Sequence, residues 1–294
     1  MSLTARVVAQ AKINLALRVL AREDSGFHSV ETVLLRLDLG DDVAVRVTDG
    51  RSLDCAGPSI PAGGLGPVER NLAYRAAAAY ADVTGWPRGF AVEVLKRIPV
   101  GGGLGGGSAD AGAVLRALDA LAPNPLGSRL VEIAASLGAD VPFMTIDSPM
   151  ALAWGRGERL FPLPPLAARP VALIVPNFGV GTAEAYGWLA SDRSAYLPTG
   201  WVVRPDSLGT WTSAAAIATN DFQRVVAARH PVIGELVDEL KACGALIAML
   251  SGSGSSVFGI FDQSPDRAAI TRRTGLTTVA TRTSDRVVGV AVDQ

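Results

Sequence analysis

Apolar and polar residues alternate over Asp42–Val47 (DVAVRV), the period of a half-buried strand, and the apolar run Val30–Leu37 ahead of it predicts another. Arg6–Leu20 mixes the two classes in a way that suits a strand bent around Lys12 and Asn14, with a turn over Glu23–Gly26. Ser52–Val68 is rich in glycine and proline and reads as loop. Asn71 then caps an alanine-rich helix ending near Asp82. Ala91–Val100 (AVEVLKRIPV) is strand-like and runs into Gly101–Gly107, after which Ser108 opens a helix with Val114, Leu115, Leu118 and Leu121 at helical spacing. Ser128–Leu137 predicts a short helix ended by Gly138, and Asp140 follows, just before the helix-incompatible Pro142. Ala151–Leu163 reads as a hairpin.

The order changes after the proline-rich joint LPPLAARP, which predicts two domains, 1–163 and 164–294. A strand at 171–175 and a helix at 183–190 precede a loose connection to about residue 219. Helices at 220–229 and 232–242, a strand at 246–250, the loop SGSGSS (251–256), a strand at 257–261, a helix at 265–274 and a strand at 277–283 follow. Without the extra helices this is β-α-β-β-α-β, a ferredoxin-like arrangement, so the fold class is α+β.

Composition narrows the function. Hydrophobic residues make up 49% and charged ones 19%, a globular balance with a substantial core. Net charge is −1 and no basic run exceeds two residues, which disfavours duplex nucleic acid as a partner. Cys55 and Cys243 lie far apart and outside any metal-ligand spacing, as expected of reduced thiols. The first residues do not read as a signal peptide, and no apolar stretch approaches the roughly 18 residues of a membrane span. A soluble cytoplasmic protein, a monomer or weak homodimer with no membrane partner, is the expectation.

The segment richest in chemistry is Gly101–Gly107, six glycines and one leucine between a strand and a helix. A backbone with few Cβ atoms can aim several N–H groups at one anion, and the helix start adds its own. Gly101, Gly103 and Gly106 match G-x-G-x-x-G, but the preceding strands look antiparallel and no acidic strand end follows at dinucleotide spacing. A Walker loop fails because Ser108 and Ala109 replace Lys and Ser/Thr. A flexible linker is the plain alternative, opposed by the flanking strand and helix, and a phosphate loop of a third type remains.

PVGGGLGGGSADAG (Pro99–Gly112) resembles the central motif of the GHMP small-molecule kinases, AKINLAL (Ala11–Leu17) their first motif and LSGSGSSVFGIF (Leu250–Phe261) their third. The resemblance implies a two-domain fold, an N-terminal ribosomal-protein-S5-domain-2-like domain and a C-terminal ferredoxin-like one. It also implies ATP, with magnesium carried by the nucleotide and no protein-held metal. SGFHSVETVL, LGADVPF, GTAEAY and NDF make the chain most similar to the branch acting on cytidyl-diphosphate methylerythritol, a precursor in non-mevalonate isoprenoid synthesis. Mevalonate- or homoserine-type kinases, and a non-catalytic ATP or ligand sensor on the same fold, are the alternatives.

The resemblance implies a role for each candidate. Asp140 is the base that takes the acceptor hydroxyl proton, or on local sequence a turn or capping aspartate. Lys12 interrupts an apolar run and would pair with Asp140, or else snorkel from an edge strand. Asn14 would bond a substrate hydroxyl, Phe27 and His28 would read the cytosine, and Thr182 and Tyr186 would complete its pocket, although a histidine or helical tyrosine at such positions also serves ordinary packing. Pro99, Val100, Gly101, Gly102, Gly103, Leu104, Gly105, Gly106, Gly107, Ser108 and Ala109 would hold the ATP phosphates. Lys96 and Asn71 are further nucleotide contacts, or a solvated strand lysine and a plain helix cap. Ala109, Phe27 and Met144 depart from the residues common in the family, Ala109 by removing one hydroxyl.

Overall fold

Two long neighbouring strands, β1 (Thr4–Arg22) and β2 (His28–Thr48), organise the first half of the chain. The computed structural model describes residues 3–22, 28–192, 203, 208–276 and 278–293. β1 and β2 pair antiparallel, with register shifts between Gln10 and Lys12 and between Asn14 and Ala16, so the bend expected at these two polar residues is a pair of bulges. β3 (Arg51–Ala56) follows, where loop was expected; only Leu53 and Cys55 are half-buried, too little for a readable alternation. Helix α1 (Leu72–Thr84) leads to β4 (Gly89–Leu95), α2 (Gly106–Leu121), α3 (Leu130–Leu137) and α4 (Val141–Thr145), then to the hairpin β5 (Met150–Gly155) and β6 (Arg159–Pro162).

β2 is long enough to share its far edge. Residues 30–35 pair with β5 and 42–48 with β4, leaving a fork between them. β4 ends five residues earlier than expected, because Asp41 Oδ1 accepts hydrogen bonds from the Arg97 and Ile98 amides that would continue the ladder. α2 begins two residues earlier than expected, and Pro142 lies inside the first turn of α4, where a missing N–H breaks no helical bond.

The second half opens with β7 (Pro170–Ile174), α5 (Thr182–Ser191) and α6 (Trp211–Ile217), the last in the supposed loose connection. β8 (Thr219–Asn220), α7 (Asp221–Arg229), α8 (Val232–Ala242), β9 (Ile247–Leu250), β10 (Val257–Ile260), α9 (Arg267–Thr274), β11 (Thr278–Arg282) and β12 (Ala291–Asp293) complete it. The second sheet runs β11-β7-β10-β9, all antiparallel, the ferredoxin-like order. Two strands return to the first sheet: β8 pairs parallel with β1 at Ala16 and Leu17, and β12 pairs antiparallel with β1 at residues 4–6. Among the described residues no helix is long and apolar enough to cross a membrane.

The helical layer is locked at α1 and α2 by a buried acid. Asp119 accepts from the Tyr80 hydroxyl (2.9 Å) and from the amides of Leu126 (2.7 Å) and Gly127 (3.1 Å). Asp119→Ala strands three donors and should lower stability by about 2–4 kcal/mol, whereas Tyr80→Phe should remove about 1 kcal/mol. Urea unfolding measures both, and equal effects from the two variants would contradict the capping role.

Candidate active site

A cleft of about 1550 Å³ runs between the two sheets, lined by β1, β2, the glycine loop, the Gly138–Asp140 turn, α5 and the SGSGSS loop. Its floor is built on the bulges of β1. There the Lys12 amide leaves the ladder and donates to Leu104 O (3.0 Å), tying the strand to the glycine loop. The Lys12 side chain is buried, its ammonium 3.3 Å from Asp140 Oδ2 and donating to Asn14 Oδ1 at 2.8 Å. Asn14 Nδ2 donates to Thr32 Oγ1 (2.8 Å), and Thr32 in turn to Ala16 O (2.7 Å), so the amide is oriented with its oxygen towards Lys12.

Asp140 precedes α4 but makes no side-chain capping bond. Its carboxylate is one-third exposed to the cleft (33%), against 5% for its lysine partner. An accessible carboxylate beside a fixed cation can accept a proton from a bound hydroxyl.

The glycine loop sits above this pair. Gly103 has φ +75°, and a Cβ there would overlap the Ser251 carbonyl oxygen, so this position accepts no side chain. Ser251 Oγ donates to Gly103 O (3.0 Å) and the Ser256 amide to Gly102 O (3.1 Å), so the third motif packs onto the second and is not a free hairpin turn. The amides of Gly106, Gly107 and Ser108 open α2 and have no partner within the helix. Pro99 to Ser108 all line the cleft. Ala109 does not: its side chain is buried, 2% exposed, and its amide donates to Gly105 O (2.8 Å).

Lys96 is no solvated strand lysine. It is 3% exposed, and its ammonium is held between Asp41 Oδ2 and Asp110 Oδ2, the latter at 2.6 Å. Asn71 lines the cleft and also caps α1, accepting from the Ala73 amide at 2.9 Å. At the other end, His28 stacks on Tyr186 (centroids 4.7 Å, 19° between planes), and Tyr186 meets Phe222 edge-on at 4.9 Å. Thr182 Oγ1 lies 3.2 Å from Ser253 Oγ, joining α5 to the third motif. Phe27 lies outside the described residues. His230 stacks on Phe178 at 4.5 Å.

The GHMP kinases N terminal domain matches residues 71–148 and the GHMP kinases C terminal domain residues 206–273. A 4-diphosphocytidyl-2-C-methyl-D-erythritol kinase of Geobacter sp. (strain M21) is 37% identical, covering 87% of this chain and 89% of its own. One of Pelotomaculum thermopropionicum is 38% identical, covering 94% and 96%. A crystal structure of 4-(cytidine 5'-diphospho)-2C-methyl-D-erythritol kinase aligns with a TM-score of 0.77 at 31% identity, over 95% of this chain and 99% of that one. The chain belongs to the 4-diphosphocytidyl-2-C-methyl-D-erythritol kinase family. A homoserine kinase of Cytophaga hutchinsonii, with a TM-score of 0.72 at 18% identity, shares the fold.

Thr32, Asp110, Asn220, Phe222 and Ser253 lie within motifs noted in the sequence but received no individual role there, and Asp41 lies outside all of those motifs. One signal was available, since Asp110 and Asp119 fall on the buried face of α2, where an acid needs a partner. Asp41 lies 55 positions from Lys96, beyond any local pattern.

Asp110, in the cluster around Lys96, titrates unusually. Burial, opposed by Lys96 and reinforced by Asp41, pushes the Asp110 carboxyl up to about 8. In the unfolded chain it titrates near 3.8. The folded state therefore holds a proton that the unfolded state has released, and its stabilising effect is full below about pH 4 and lost as pH rises to about 8. Asp110→Asn should flatten this part of the profile of melting temperature between about pH 5 and 8. Identical slopes for the two proteins would refute the raised titration.

Proposed function

We propose that this chain, whose relatives are named as 4-diphosphocytidyl-2-C-methyl-D-erythritol kinases, transfers the γ-phosphoryl group of ATP to the 2-hydroxyl of that substrate. The observation that carries the reading is the Lys12–Asp140 pair at 3.3 Å, open to the cleft and directly beneath the glycine loop.

The acceptor hydroxyl sits between the two side chains. Asp140 takes its proton as the oxygen attacks the γ-phosphorus, and Lys12, held by Asn14, faces the charge that develops on the attacking oxygen and the phosphoryl group. The free amides of Gly106, Gly107 and Ser108, with the helix start behind them, bind the β- and γ-phosphates. Asn71 and Lys96 border the nucleotide end of the cleft, Lys96 by shaping it through Asp41 and Asp110. The cytosine lies against the ring group of Phe27, His28 and Tyr186, with Thr182 as its polar contact.

Magnesium accompanies the nucleotide. Among the described residues there is no group of three His, Cys, Asp or Glu that would cage a metal. A phosphate-bound magnesium that keeps several waters needs only one or two protein oxygens, and the Ser108 hydroxyl at the start of α2 is that kind of donor. The ion would offset charge on the phosphate oxygens. Residues 1–163 supply the ATP side and 164–294 the second wall.

A coupled ADP-release assay with the cytidyl substrate should show turnover; turnover of mevalonate or homoserine in its place would assign another branch. Asp140→Asn should lower kcat by about 10²–10⁴-fold with the ATP KM nearly unchanged. Loss of ATP binding in that variant, or retained turnover, contradicts the role. Tyr186→Ala should raise the KM of the cytidyl substrate by about tenfold, from the roughly 1–3 kcal/mol of a base stack, without affecting ATP. An equal rise in both KM values would place Tyr186 in packing alone.

A further inference from the structure

Arg36 is among the largest fully buried side chains of the described residues, 1% exposed, and the reaction described above makes no use of it. It stands directly opposite Lys12 across the β1–β2 ladder, so the two cations leave the sheet on the same face. They reach opposite ends of α4. Lys12 meets Asp140 at its start. Arg36 Nη2 donates to the carbonyls of Phe143 (2.8 Å) and Ile146 (3.2 Å), and Nε to that of Ser148 (3.3 Å). Nη1 lies 3.8 Å from Met144 Sδ, and the guanidinium is 4.9 Å from the Phe143 ring centroid.

The base of this side chain is equally fixed. Its amide donates to Pro149 O and its carbonyl accepts from the Ser284 amide, both at 2.9 Å. Burying a guanidinium is unfavourable, and burial pulls this one down to about 9. An aliphatic side chain would fill the space without that penalty. What it lacks is a planar fork able to serve several carbonyls at once. α4 has only five residues, so the carbonyls around its end have few helical donors, and the guanidinium supplies them.

We propose that Arg36 is the positioning residue for Asp140: by clamping the far end of α4 it fixes where the carboxylate at the near end stands relative to Lys12. The inference rests on Asp140 being the base. A single rigid turn between two cross-strand cations leaves the carboxylate little freedom, and about 1 Å of misplacement is enough to slow such a step by up to a hundredfold.

Arg36→Lys tests this, since it keeps the charge and loses the fork. Kinetics normalised to the fraction that binds an ATP analogue should show kcat reduced by about ten- to a hundredfold, with both KM values within about threefold. In the Asp140→Asn background the same change should cost no more than about twofold, because the group it positions is already gone. A wild-type kcat for Arg36→Lys, or losses that multiply in the double variant, would overturn the proposal. Hydrogen exchange over 140–148 should quicken in Arg36→Lys, and unaltered exchange there equally overturns it. Should Asp140→Asn keep full turnover, the base assignment fails, and the exchange result judges the clamp separately.

Discussion

Everything in the cleft follows from placing an ammonium in the middle of a long buried strand. Lys12 is 4% exposed, and such a charge is tolerated only with a counter-charge and acceptors in good geometry. β1 meets this demand by leaving its own ladder. The bulge at Lys12 sends its amide to Leu104, and the bulge at Asn14 brings an amide oxygen to the ammonium. Asp140 then completes the set from a segment some 130 positions away. The glycine at 105 is part of the same solution, because a Cβ there would press on the Lys12 methylenes. One buried charge thereby fixes the mutual placement of a strand, the glycine loop and an acid-bearing turn.

The chain holds a second buried lysine, this one between two carboxylates, and the contrast defines both. The Lys96 cluster is closed: its side chains are 0–5% exposed, and Asp41 also accepts from two main-chain amides. Such a cluster sets geometry. It ends β4, anchors the first turns of α2 and thereby aims the glycine loop between them. The Lys12 cluster keeps Asp140 one-third open. Both clusters pair a buried lysine with aspartate, and the exposure of the carboxylate is what separates them.

Local features were legible in the sequence where the physics is local. The glycine run needs no partner to announce a backbone that can approach an anion, and polar residues inside an apolar run forecast the bend of β1. The alternation of strands and helices after residue 170 sufficed for the ferredoxin-like order. Features created by distant partners were not legible. β3 is an edge strand with two half-buried residues, so its place depends on β4 and not on its own pattern. Lys96 reads as solvated until Asp41 arrives, and Arg36 reads as the polar phase of a strand until α4 packs over it. Pro142 misleads for the converse reason, because a rule against proline within helices does not reach the first turn. Ala109 misleads because motif membership does not say which face of the helix a position takes.

The third motif gives the arrangement its second anchor. Asn220, itself paired to β1 through β8, donates to the carbonyls of Leu250 (2.8 Å) and Gly252 (2.9 Å) and so fixes the SGSGSS loop to the first sheet. That loop then grips Gly102 and Gly103 from above, while Leu104 is held from below by Lys12. A glycine run held this way loses the freedom that its composition confers, while every residue of it lines the cleft. Donors already fixed in place need no reorganisation as negative charge shifts between phosphate oxygens, and such donors stabilise a phosphoryl-transfer transition state most strongly. Flexibility encoded locally is thus restrained by long-range contacts, which is why the glycines and their distant braces form one structural unit.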